Sequence, residues 1–364
     1  MNCKSALAKN DFLKVIGFGL ILLFVCSCDP NPLPNPNPPE SGVLILNQGG
    51  WGANDASLWT YNPESGETTT IISSIATNRL GDVGQDMLIY GGKLYITLTG
   101  SSVIRVLDVA TKQDVKTIPM FDGEKPCGPR YLVAHGGKIY ATCYNGNDGI
   151  VARIDTTTLA WEARTSVGVR PEGIAVNSGK LYVANSGPLY IYDNTLSVVD
   201  IATFSESKKI TVGTNPNIVR ADGNYIYLSY QGDWGAISGG FQRIDVRDEL
   251  VVTVSDAPKA DFVIVDSKIY YYDVTYDPSD WSTVVSFGKM QVAADGTKTD
   301  SSLITDAVSV VSPFSIAVHP ETGEIYIGDA GDYVNPGSVF VFNSQEKKID
   351  EFTAGISPCK FVFY

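Results

Sequence analysis

The sequence predicts an all-β fold, a seven-bladed β-propeller closed by its own C-terminal strand, on three observations. First, one phrase, GGKLYITLTG at Gly91 to Gly100, returns as GGKIYATCYNG (Gly136 to Gly146), SGKLYVANSG (Ser178 to Gly187), GNYIYLSYQG (Gly223 to Gly232), SKIYYYDVTY (Ser267 to Tyr276) and TGEIYIGDAG (Thr322 to Gly331). Second, the central tyrosines Tyr95, Tyr140, Tyr182, Tyr227, Tyr270 and Tyr326 are 45, 42, 45, 43 and 56 residues apart, the period of a four-stranded propeller blade. Third, VLILNQ at Val43, SLWTYN at Ser57 and TTTIIS at Thr68 read as second, third and fourth strands lacking a first, whereas SPCKFVFY at Ser357 to Tyr364 reads as a first strand with nothing after it. Joining the two partial units gives seven blades over residues 43–364, 46 residues each, and leaves no free sheet edge. An open solenoid of hairpins would not need a half-unit at each end.

Within each unit an apolar alternating segment, a tight Gly, Asn or Ser turn and the Tyr strand form a hairpin. PEGIAV, NSG and KLYVAN from Pro171 are one example, and PRYLVA, HGG and KIYATC from Pro129 another. A third strand follows a variable loop: VIRVLD at Val103, IVARID at Ile150, LSVVDI at Leu196, FQRIDV at Phe241, GKMQVA at Gly288 and SVFVFN at Ser338. A charged fourth segment, such as QDVKTI at Gln113 or KKITVG at Lys208, ends the unit. Apolar inner strands and a polar outer one are what a blade radiating from an axis requires.

Residues 1–27 read as a lipoprotein signal peptide. Lys4, Lys9 and Lys14 precede the apolar run VIGFGLILLFV from Val15, which is short for a membrane-spanning helix and right for a signal core. Val25, Cys26, Ser27 and Cys28 resemble a lipobox with Cys28 lipidated, although Cys26 stands where a smaller residue is usual. A secreted protein without lipid is the alternative reading. Residues 28–42 form a tether rich in Pro and Asn, a composition that favours extended polyproline II and a spacer role.

The formal net charge of −13 makes nucleic acid and anionic lipid head groups poor partners. Cys127 precedes the first strand of its unit and Cys143 ends the second, so antiparallel pairing offers a disulfide that geometry must decide. The chain has only two histidines. His135 and His319 both fall at first-to-second-strand turns on one rim, and neither has the neighbours of a zinc pattern. No nucleophile elbow, metalloprotease helix motif or P-loop is present. The loop DVTYDPSD from Asp273 is acidic but poorly spaced for calcium. Catalysis is disfavoured, and no catalytic residue, metal or cofactor is expected.

The unusual residues lie in the loops between second and third strands, which strand alternation places on the same rim as the turns entering the first strands. That rim is expected to carry the ligand-binding residues Trp51, Arg130, Tyr144, Asn145, Arg170, Asn185, Asn215, Tyr230, Trp234, Tyr276, Trp281 and Tyr333. Aromatics among amides suit a neutral ligand with flat apolar area and many polar edges. The tryptophans Trp51, Trp234 and Trp281 are the expected anchors, and Asn145, Asn185 and Asn215 the expected readers of the ligand's edges.

The Lys-Leu-Tyr strand, the opening NQGGWGANDASLWTYNPESGE at Asn47 to Glu67, the VGTNP turn at Val212 and the RPEGIAV turn at Arg170 resemble YncE-type seven-bladed propellers. The opening and the lipoprotein start are similar to surface lipoproteins of gut Bacteroidetes, among them the BtuG group. That resemblance implies a protein on the outer membrane, facing the exterior, that captures a corrinoid (cobalamin or cobinamide) as ligand rather than cofactor. It further implies transfer of the corrinoid to a TonB-dependent BtuB-type transporter. Only Asp29 follows Cys28 where such lipoproteins often carry more acidic residues. A glycan-binding or protein-docking scaffold remains the alternative, and a lyase or lactonase would need metal ligands facing the channel.

Overall fold

The computed structural model describes residues 42–75, 77–276, 283–304 and 309–364. The signal segment, Cys28, the tether before Gly42, Trp281 and most of the acidic loop after Asp273 lie outside the described residues. The described chain forms seven four-stranded antiparallel sheets and one short hairpin, Phe121–Asp122 with Lys125–Pro126. Six sheets are consecutive in the chain, with inner strands Gly84–Tyr90, Gly128–His135, Pro171–Asn177, Pro216–Asp222, Asp261–Val265 and Pro313–Val318. We number these blades 2 to 7. Blade 1 takes Val43–Asn47, Ser57–Asn62 and Glu67–Ile72 from one end of the chain and its inner strand, Pro358–Phe363, from the other.

The recurring phrase is the second strand of each blade, and its alternation explains the architecture. Successive side chains of a strand point to opposite faces, and here both faces are dry. In blade 2, Leu94, Ile96 and Leu98 pack in the core shared with blade 1, while Tyr95 packs in the core shared with blade 3. In blade 4, Leu181 and Val183 face blade 3 whereas Tyr182 and Ala184 face blade 5. Buried apolar side chains therefore gather in seven separate clusters, each between two neighbouring blades. The repeated tyrosine enters the core shared with the next blade: Tyr95, Tyr140, Tyr182, Tyr227 and Tyr326 are all buried there, and Tyr270 is partly so.

Closure follows because the core between blades 7 and 1 needs both ends of the chain. Val43 and Ile45 meet Tyr326, Val339, Val341 and Phe361 there. The register pairs Val43 with Phe363, Ile45 with Phe361 and Leu46 with Lys360. Gly42 and Tyr364 exchange backbone hydrogen bonds of 3.0 and 3.1 Å. The Lys112 ammonium lies 3.5 Å from the centroid of the Tyr364 ring.

Deleting Ser357 to Tyr364 removes the inner strand of blade 1 and bares the edge of Val43–Asn47, an all-buried strand. Such an apolar edge is a template for aggregation, so the truncated chain should lose its cooperative melt and self-associate in size-exclusion chromatography. A monomer with an unchanged melting temperature would contradict this account of closure.

Candidate ligand-binding rim and channel mouth

The channel is built by a local device repeated in the inner strands. Four of them open at a proline, Pro171, Pro216, Pro313 and Pro358 in blades 4, 5, 7 and 1, and blade 3 carries Pro129 directly after its first residue, Gly128. Proline is tolerated at a strand start, where no ladder donor is needed. Directly after it the pairing skips, leaving Arg130 and Tyr131, Glu172 and Gly173, Asn217, Phe314 and Cys359 outside the register; blade 2 does the same at Gln85 after Gly84. A β-bulge re-aims a side chain, and these bulges supply the axis. Blade 6 pairs regularly from Asp261. A cavity of about 440 Å³ on the axis is lined by Gln85, Tyr131, Asn217, Phe314, Cys359 and Asp261 among others.

The charges at this level alternate around the ring: Lys360 in blade 1, Asp86 in blade 2, Arg130 in blade 3, Glu172 in blade 4, Arg220 in blade 5 and Asp261 in blade 6. Arg130 donates to Glu172 through Nε at 3.0 Å and Nη2 at 3.2 Å. It also donates to Gln85, while Tyr144 donates its hydroxyl to Glu172 and lies under the Arg130 guanidinium, 4.9 Å away. Burial pushes the Glu172 carboxyl above the usual range, with Arg130 acting against that rise. Lys360 Nζ is 2.8 Å from Asp86 Oδ1, an ion pair, while Asp86 Oδ2 accepts from Leu132 N–H at 2.9 Å. Arg220 and Asp261 are 3.7 Å apart. Burial raises the Asp261 carboxyl too.

Above the mouth, the loops between second and third strands hold exposed aromatics at their tips. Trp51 is 77% exposed, Tyr190 88%, Trp234 70% and Tyr333 52%. Tyr190, Trp234 and Tyr333 have φ of 65°, 60° and 64°, the left-handed region that costs a bulky residue roughly 1–2 kcal/mol. Side chains within the loops hold this geometry in place. Asp233 Oδ1 accepts the Gly235 and Ile237 amides, both at 2.8 Å, and Asp332 Oδ1 accepts those of Val334 and Asn335 at 2.9 and 2.8 Å. Tyr333 leans towards the axis, edge-on to Phe314 with centroids 5.7 Å apart. Leu189, Ile191 and Val334 are exposed beside these aromatics.

Of the residues expected on this rim, Trp51, Trp234 and Tyr333 are exposed at loop tips, and Arg130, Tyr144 and Arg170 meet at the mouth, with Arg170 5.6 Å from the Tyr144 ring. Arg170 and Asn215 are also the left-handed residues before Pro171 and Pro216. The Asn215 backbone is tied to Asp193 and Gln231 at 2.8 and 2.9 Å. Tyr276 ends a strand, Lys268–Tyr276.

Of the other residues expected on the rim, Asn185 and Asn145 are buried and Tyr230 is half-buried. Asn185 is fully buried: its Oδ1 accepts the Gly168 amide at 3.0 Å and its Nδ2 donates to Thr195 and Ser197. Asn145 donates to Asp122 and accepts from the Cys127 thiol. Tyr230 packs where a Cβ on Gly213 or Gly240 would collide with its ring. Asn47 and Asp329 make the same tie to the incoming loop in blades 1 and 7. A buried polar group spends its hydrogen bonds internally, so Asn47, Asn185 and Asp329 secure the loops entering their inner strands.

Cys127, Cys143 and His319 take structural places. Cys127 and Cys143 are unbridged buried thiols in one core cluster, and burial raises both. His319 Nδ1 accepts the Glu321 and Thr322 amides at 3.2 Å in its turn. The residues sequence reasoning passed over are Gln85, Asp86, Glu172, Asn217, Arg220, Asp261 and Lys360. A signal was available for two of them: a proline recurs near the head of the first strand, and Glu172 and Asn217 each directly follow one.

Arg130→Ala should cost about 3–5 kcal/mol, because it leaves the Glu172 carboxylate buried without its countercharge, with Tyr144 still donating to it. Adding Glu172→Gln should recover most of the loss. Since burial raises the folded-state pKa of Glu172, the folded single variant binds a proton more readily than the unfolded chain does. Its deficit should therefore be greatest at high pH and shrink as pH falls through that raised pKa. Urea unfolding across pH checks this; a deficit independent of pH would show that Glu172 is not the group left stranded.

No family model matches the chain, and no curated protein matches it. Solved structures do. The chain is similar to a candidate 6-phosphogluconolactonase of Bacteroides uniformis, with a TM-score of 0.64 and 11% identity over 89% of this chain and 100% of that one. It is similar to another from Bacteroides fragilis (0.63, 12%, 89% and 98%) and to the hydrazine synthase of Kuenenia stuttgartiensis (0.60, 16%, 74% and 85%). At such identities the likeness is one of fold, and the fold it supports is the seven-bladed propeller.

Proposed function

We propose that this chain is a binding propeller, anchored to the outer membrane by lipid on Cys28, that captures a small nutrient across its rim and hands it to an outer-membrane transporter of the TonB-dependent BtuB type. A corrinoid is the first ligand to test. The observation that carries the reading is the set of exposed aromatics, Trp51, Tyr190, Trp234 and Tyr333, on loops of one rim, three of them at positive φ. Backbone strain of this kind persists where the surroundings over-determine it, and it clusters at ligand clamps. Rings fixed in this way offer flat apolar contact at little further entropic cost. Beneath them the mouth is polar yet charge-compensated, which favours a ligand with many hydrogen-bonding edges and little net charge. The lactonase name belongs to the structural neighbours; binding without turnover is the role supported by a rim of apolar rings.

Titration of the purified protein with cobalamin and cobinamide tests this reading. Trp51→Ala or Trp234→Ala should each weaken binding by ~2 kcal/mol, about thirtyfold. Salt should change affinity little, because no exposed counter-charge is engaged. His135→Ala, on the opposite rim, should leave affinity as it was, and Asn185→Ala should lower the melting temperature in preference to affinity. Failure of the unaltered protein to bind either corrinoid ends the corrinoid assignment; a glycan bound in its place, lost with the same tryptophans, would reassign the ligand.

Anchoring is tested separately. Cys28→Ala should release a folded ring into the soluble fraction, since buried acyl chains supply the membrane affinity. Its continued sedimentation with membranes would mean that something other than lipid holds it.

A further inference from the structure

The exposed aromatics of the rim are not all held in the same way. Tyr190, Trp234 and Tyr333 carry positive φ, and Asp233 and Asp332 brace the loops of the last two from within, across spans of two to four residues. Trp51 instead lies between Gly50 and Gly52, and glycine loses more conformational freedom on ordering than any other residue. Its loop is tied to another blade. Asp82, on the turn entering blade 2, accepts the Gly52 amide at 3.0 Å on Oδ1 and 3.2 Å on Oδ2, and the Asn54 amide at 3.2 Å on Oδ1. Both donors have left-handed backbone, with φ of 76° and 53°. Two further ties cross the same seam: Arg79 Nη1 donates to the Asn54 carbonyl at 3.3 Å, and the Ala56 amide donates to the Gly81 carbonyl at 3.2 Å. Asp82 is itself fixed by the next loop of its own blade. Its amide donates to Ser101 Oγ at 2.8 Å, and its carbonyl accepts the Gly100 amide at 3.1 Å. A Cβ on Gly100 would lie 2.1 Å from Asp82 Oδ2, so glycine there leaves room for the carboxylate.

We propose that Asp82 is a positioning residue for ligand capture: from blade 2 it holds the Trp51 tip of blade 1 in one conformation, so that the indole meets the ligand already ordered. This inference rests on the binding role proposed for the rim. Amide hydrogen bonds to a carboxylate are roughly twice as strong as neutral ones, and here they order a glycine-flanked segment whose freedom would otherwise be lost at the moment of binding. Both carboxylate oxygens already accept amides, which assigns Asp82 to the loop and not to a ligand's donors. Its effect on affinity therefore passes through Trp51 alone.

Two measurements test this, one of them without any ligand. In hydrogen–deuterium exchange of the full chain, Asp82→Ala should make the Gly52 and Asn54 amides exchange several-fold faster while the melting temperature changes little. In titrations with cobalamin, Asp82→Ala should bind roughly tenfold more weakly, a smaller loss than that of Trp51→Ala. Adding Asp82→Ala to Trp51→Ala should cost nothing further, whereas adding it to Trp234→Ala should multiply the two losses, because only the first pair is coupled. Asp82→Asn keeps an oxygen in the place of Oδ1 and should restore most of the affinity, a rescue that a merely structural role for the charge would not give. If Asp82→Ala fails to fold, Gly100→Ala, which crowds the carboxylate from behind, should reproduce the faster exchange and the weaker binding. Unchanged exchange at Gly52 and Asn54 would overturn the proposal, and so would losses from Asp82→Ala and Trp51→Ala that simply multiply. Should the unaltered protein bind no corrinoid, the corrinoid assignment falls and the exchange measurement alone decides whether Asp82 holds the Trp51 tip.

Discussion

Everything in this ring depends on the antiparallel pairing of Val43–Asn47 with Pro358–Phe363. The reason lies in the alternation of the second strands. Because each sends its side chains alternately into two cores, no blade buries its own apolar surface, and every core is shared with a neighbour. A linear stack built this way must expose two half-cores at its ends. Pairing the ends converts them into a seventh core, in which Tyr326 meets Phe361 and Phe363 at centroid distances of 5.9 and 5.5 Å. Stability is thus a property of the closed ring.

Seven is odd, and this has an electrostatic consequence at the axis. Charges alternating in sign around an odd ring cannot close without two like charges meeting. At the level of the mouth the inner strands carry three cations and three anions in alternation, and the break falls in blade 7, where Phe314 and Ser315 stand at the corresponding level. The compensated pairs tie blade 1 to 2, 3 to 4 and 5 to 6. The longest of the three pairs, Arg220 with Asp261, lies in the blades next to the uncharged blade 7.

The rim and the channel divide structural and functional work by burial. Residues ending the second strands, Asn47, Asn185 and Asp329, are buried and spend their polar atoms on the loop that enters the inner strand. A few residues further on, Trp51, Trp234 and Tyr333 sit on loop tips with nothing packed over most of their surface. A ring fixed to a rigid scaffold yet left in solvent has little to gain for stability, and the contact role proposed for these tips rests on that difference.

The sequence alone determined the blade count, the order of strands within each blade and the joining of the two half-units, because a period of about 46 residues and strict strand alternation admit one closed arrangement. It also placed Trp51, Trp234 and Tyr333 on one rim, since the strand direction assigns every second-to-third loop to the same side. What it did not determine was burial within those loops: Asn185 and Trp51 look equally available as letters, and only packing shows that one is spent and the other exposed. The channel was hidden for a sharper reason. Arg130, Glu172, Arg220, Asp261 and Lys360 come from five blades, up to 230 residues apart in sequence, and they face one another only because bulges turn several side chains out of the pleat and the ring brings every inner strand to a common axis.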